Sequence, residues 1–77
     1  MFSVQDLAHK FNVPAFMINA ALCQCEFQIY SPLPDDERPF YLTFEGTEYG
    51  KEHHLNILWY DSVIPALSHA LNMMVQR

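Results

Sequence analysis

At 77 residues, 51% hydrophobic and 14% aromatic, the chain is too apolar for a disordered segment and too short for more than one domain, residues 1–77, with a modest core. Its net charge of -5, from 9 acidic against 4 basic residues, opposes a polyanionic partner, and Lys10, Arg38, Lys51 and Arg77 are spread along the chain rather than clustered. No apolar run approaches membrane-spanning length, and the first residues lack the basic and apolar stretches of a signal peptide, which predicts a soluble intracellular protein.

The first predicted element opens on Ser3 with Asp6 three residues later, an approximate capping box. Val4, Leu7, Ala8 and Phe11 then mark one face of a helix. Asn12 and Val13 form a tight connection, and Pro14 fits the first turn of a second helix that runs to about Cys25. Two helices joined by so short a turn are a helix-turn-helix. Phe27 to Tyr30 suits a short strand, and Phe40 to Thr43 its return. Between them Ser31 to Pro39 carries prolines and the acidic run Asp35, Asp36 and Glu37, a solvated loop. Thr43 is placed to cap a short helical turn through Tyr49, with Gly46 and Gly50 as breakers. Leu55, Ile57 and Trp59 alternate with Asn56, Leu58 and Tyr60, which predicts a strand with both faces largely covered. Asp61 caps a terminal helix whose stripe is Ile64, Leu67, Leu71 and Met74, with Pro65 early enough to be tolerated. The order predicts a single α+β unit.

Several segments together resemble a known pattern. They are Ser3-Val-Gln-Asp-Leu-Ala8 with Phe11-Asn-Val-Pro14, then Asn19 and Leu22, then Leu42-Thr-Phe-Glu-Gly46 with Tyr49-Gly50, and Ile57-Leu-Trp-Tyr60 running into Asp61-Ser-Val63. In order and spacing the chain is similar to the small winged helix-turn-helix-like domain found at the C-terminus of phage antirepressors and as free-standing phage accessory proteins. The likeness covers roughly Ser3 to Leu71, with a shorter segment between Gly50 and Leu55 than is usual. The resemblance implies a helix, helix, β-hairpin wing, short turn, strand and C-terminal helix. It also implies a phage or prophage origin, action in the cytoplasm of a bacterial host, and a role in countering a host or rival regulator.

In a DNA-reading helix-turn-helix the second helix lies in the major groove and offers Arg, Lys, Asn or Gln to base edges. Here it offers no cation, and Asn19 and Gln24 lack phosphate anchors beside them. Ile18, Ala21, Leu22 and Cys25 are spaced for the core, whereas Phe16, Met17 and Ala20 point partly elsewhere. Two readings stand: both sets are core, or Phe16, Met17 and Ala20, with Asn19 beside them, form a surface for a partner protein or a second copy of the chain. Asp35, Asp36 and Glu37 are a second candidate, since a negative cluster mimics a phosphate track. A solvated loop tip is the stronger reading there, because so short a run imitates little duplex.

Cys23 and Cys25 sit about 200° apart on a helix and cannot pair with each other, so they are read as reduced thiols. With His53 and His54 they fit the spacing of a zinc site poorly, and no phosphate loop, metalloprotease motif or paired-carboxylate motif is present. Neither a cofactor nor enzymatic activity is expected. The leading expectation is a protein-binding module that inhibits a host or phage regulator or defence protein by docking on it. The alternative is a dimeric DNA-binding regulator in which sparse cations such as Lys10 and Lys51 act together.

Overall fold

In a computed structural model, residues 1–30, 40–54 and 56–75 are described; the acidic run Asp35, Asp36 and Glu37 lies outside them. Two helices, α1 (Val4–Phe11) and α2 (Ala15–Gln24), lead into strands β1 (Gln28–Tyr30) and β2 (Phe40–Leu42). A 3-10 turn (Glu45–Glu48) connects to strands β3 (Gly50–His53) and β4 (Asn56–Trp59), and α3 (Val63–Val75) closes the order. The architecture is a small α+β domain with antiparallel hairpins β1-β2 and β3-β4.

The helix ends follow from local chemistry. Ser3 accepts a bond from the Asp6 N–H at 3.1 Å, and the Asp6 carboxylate accepts one from the Ser3 N–H at 3.0 Å, so the expected capping box forms with Asp in the place usually taken by Glu. The bond from the Ser3 N–H, and after it the Ser3 hydroxyl beside the same carboxyl group, hold the Asp6 carboxyl below its ordinary value. At the other end Asn12 is left-handed with φ 56°, and the Asn12 and Val13 N–H groups return to the His9 and Ala8 carbonyls at 3.2 and 3.0 Å. α2 ends the same way, with Glu26 left-handed at φ 64°. There the Glu26 and Phe27 N–H groups donate to Cys23 and Leu22 at 2.9 and 3.0 Å. Both are Schellman closures, built on residues other than glycine. Pro14 stands just before α2 as its N-cap and makes no side-chain cap bond.

Thr43 caps the 3-10 turn as expected, its Oγ1 accepting from the Gly46 N–H at 2.9 Å. The same hydroxyl donates to the Glu26 carbonyl, which ties the start of the 3-10 turn to the end of α2. Phe27 and Tyr49 stack with ring centroids 4.2 Å apart. A Cβ at Gly46 would overlap the Phe27 carbonyl, and one at Gly50 would lie 2.8 Å from the Trp59 ring; these are the close approaches that require glycine.

Leu7, Ile18, Leu22, Trp59, Val63 and Leu67 are fully buried in one cluster to which α1, α2, β4 and α3 all contribute. Trp59 carries the largest of these side chains, and its indole N–H finds no hydrogen-bond partner among the described residues, a cost of about 1–3 kcal/mol set against a large apolar burial.

The second hairpin corrects the sequence reading. Leu55 to Tyr60 reads as a strand covered on both faces, but Ile57 and Trp59 are buried while Asn56 and Tyr60 are exposed. β4 buries one face fully and the other only by half, at Leu58, with Leu55 outside the described residues. It draws its partner from Gly50-Lys-Glu-His53, a strand absent from the reading because Lys51, Glu52 and His53 are all exposed. α3 begins at Val63 rather than beside Asp61, with the Val63 and Ile64 N–H groups bonded to the Tyr60 and Asp61 carbonyls at 3.0 and 3.1 Å. Its stripe is buried at Leu67 and Leu71 and half-buried at Ile64 and Met74.

Candidate interaction surface

α2 carries no charged residue along Ala15-Phe-Met-Ile-Asn-Ala-Ala-Leu-Cys-Gln24, so what it turns outward is decided by packing alone. At 100° per residue, Ile18, Ala21 and Leu22 converge on the core, where all three are buried. Phe16 and Ala20 lie one turn apart on the opposite side and are exposed. Phe16 is 71% exposed, a large ring in water at the start of a helix.

The other candidate residues on this helix do different things. Met17 is half-buried and packs against the core cluster, so its side chain belongs partly to the fold. Asn19 is half-buried, and its Oδ1 accepts a bond from the Gln28 Nε2 at 3.1 Å. Gln28, only 1% exposed, also reaches the Asn19 carbonyl at 3.3 Å. This network joins α2 to β1, and it went unread in the sequence because a glutamine inside Phe-Gln-Ile-Tyr looks like the solvent half of an alternating strand. The structure therefore brings Phe16 and Ala20 together and sets Met17 and Asn19 on the two flanks.

Outside α2, Ile29, Tyr30 and Phe44 are also exposed, Phe44 to 87%, and Tyr30 meets Phe40 with ring centroids 5.6 Å apart. Beside the Asn19 flank opens a cleft of about 420 Å³, bounded by Val4 and Gln5 of α1, Asn19, Gln28, Phe40 and Ile57. Among the described residues no Asp, Glu, Lys or Arg lines it, and His53 does.

Cys23 and Cys25 are free and half-buried. Burial pushes the Cys25 thiol up, so it stays protonated at neutral pH and is a poor nucleophile. His53 and His54 are exposed, with rings edge to face at 4.3 Å. Among the described residues no group of His, Cys, Asp and Glu is arranged to hold a metal ion, and no helix is long and apolar enough to cross a membrane. Lys10 lies at the end of α1 with its Nζ 6.0 Å from the Phe2 ring centre, and Lys51 is exposed on β3. Compared with family models, with curated proteins and with solved structures, the chain matches none.

Proposed function

We propose that this α+β chain is a winged-helix-like protein-binding module, phage- or prophage-encoded, that docks on a host or phage regulator or defence protein in the bacterial cytoplasm and blocks it. The observation that carries the reading is the outer face of α2. In a helix-turn-helix that face is the one offered to a partner, and here it holds exposed Phe16 and Ala20 and no charge on the whole helix. Phosphate contacts from cations supply most of the affinity for duplex, and α2 has none to give. An exposed aromatic ring on a charge-free helix suits the desolvated centre of a protein interface. The tight turn at Asn12 and the two hairpins support the winged-helix comparison. Phe16 and Ala20 are the central contacts, with Met17 and Asn19 at their edges; Asp35, Asp36 and Glu37 are held as secondary contacts.

Titration of a fluorescent duplex, in parallel with light scattering on the eluting protein, tests the reading. No duplex binding at low salt is the expected result. Binding by a dimer with an affinity that falls steeply as salt rises would replace this reading with the DNA-binding regulator.

A further inference from the structure

The cleft beside Asn19 has a strand edge in its wall. Trp59 exchanges both backbone bonds with Phe2, at 2.8 Å from the Phe2 N–H and 2.7 Å to the Phe2 carbonyl. Residues of an antiparallel strand alternate the side to which their N–H and C=O point. Leu58 and Tyr60 therefore bond toward β3, as the 2.7 Å bond from the Tyr60 N–H to the Tyr49 carbonyl shows. Ile57 directs its N–H and C=O to the same edge as Trp59. A strand continuing from Phe2 would bring Val4 opposite Ile57, but the chain leaves the strand at Ser3 and turns into α1. Among the described residues no backbone group meets Ile57 on that side, and the space there is the cleft.

The geometry points to this cleft as a docking site for an extended, uncharged segment of a partner protein, added as a strand to the open edge of β4. The edge from Asn56 to Leu58 is about 10 Å long at the rise of a strand, enough to seat about three residues. Ile57 would exchange both main-chain bonds with the middle residue, which is the mode by which sheet edges take peptides. Val4 and Phe40 give apolar walls for one side chain, and Asn19 and Asn56 put carboxamides beside the peptide backbone. Among the described residues the lining holds no Asp, Glu, Lys or Arg and a single titratable side chain, the exposed His53, so a segment carrying several charges would lose hydration there with little to pair with. A second copy of the chain is opposed by the net charge of -5. This site shares Asn19 with the edge of the Phe16 face but does not include Phe16, so it can fail without that face.

Two measurements test it. In the free protein, hydrogen exchange should show the Ile57 amide at least tenfold faster than the amides of Leu58 and Trp59. Equal protection, or protection that grows with protein concentration, would mean that the edge is covered by the chain itself or by a second copy, and would overturn the proposal. Selection of displayed random heptapeptides on the immobilised full chain should then yield peptides that protect the Ile57 amide. They should bind Phe16→Asp as well as the parent chain. They should bind Gln5→Trp, an exposed position on the cleft rim, at least tenfold more weakly, and Ala15→Trp likewise. N-methylation of the central peptide amide should also cost at least tenfold. Peptides that lose affinity with Phe16→Asp and keep it with Gln5→Trp would overturn the cleft assignment while leaving the proposed function standing. A selection that yields no binder would overturn it too.

Discussion

α1 turns Gln5, Asp6, His9 and Lys10 to solvent, whereas α2, which follows after a tight turn, turns out Phe16, Ala20 and Gln24. Both helices bury a stripe in the same core, Leu7 and Ala8 from the first and Ile18, Ala21 and Leu22 from the second. Both also close on a left-handed residue with the same pair of return bonds. The fold thus constrains inner faces and ends alike and leaves the outer faces open. On α1 that freedom is used in the ordinary way, by charge. On α2 it is used by an aromatic ring, which folding does not require.

The sharpest way to break this comparison is to truncate an inner face. Leu22→Ala should cost about 2–5 kcal/mol, read by denaturant unfolding, because Leu22 is fully buried against helices and sheet. A loss below about 1 kcal/mol would mean that the core of α2 is not packed as described.

A smaller effect is expected at the start of α1. Ser3→Ala should lower stability by about 1 kcal/mol, since it removes the acceptor for the Asp6 N–H. The reciprocal bond also makes this end sensitive to acid. The Asp6 carboxyl is depressed in the folded chain, so its contribution is present above the ordinary aspartate value of 3.8 and is lost as pH falls through the folded value. Asp6→Asn should therefore flatten the acid limb of the melting temperature against pH and leave its neutral limb parallel to the parent's.

These local rules also mark where the sequence was legible. Ser3 with Asp6, the Asn12 turn, the Thr43 cap and the core set of α2 could all be read because each depends on residues within one turn of one another. The hairpin β1-β2 could be read from its aromatic and β-branched residues. β3 could not, since Gly50-Lys-Glu-His53 has no apolar alternation and becomes a strand only by pairing with β4. Nor could the closure at Glu26, because glutamate seldom adopts a left-handed backbone and the position is imposed by how α2 enters the first hairpin. At the candidate site, helical spacing set Phe16 apart from Ile18, Ala21 and Leu22 and left open whether it was core or surface. The demotion of Met17 to the core edge, the tie from Asn19 to Gln28 and the open edge at Ile57 all depend on long-range packing.

Glu26 offers a finer test of the shared helix ends. Glu26→Gly should raise stability by up to about 1 kcal/mol, as relief of left-handed strain exceeds the entropy that glycine adds to the unfolded chain. Asn12→Gly should give less, because asparagine tolerates that backbone. Equal gains at both sites, measured by thermal unfolding, would show that the two closures are strained alike.

The smallest stability effect belongs to Phe16. Phe16→Asp should change stability by no more than about 0.5 kcal/mol, since the ring is mostly in water and a carboxylate in the first turn favours the helix dipole. The most direct test of the role of α2 uses that variant beside the parent chain, with matched melting temperatures, in quantitative capture from host lysate. The reading predicts at least one protein held by the parent and lost by Phe16→Asp. Identical capture by the two chains would contradict it.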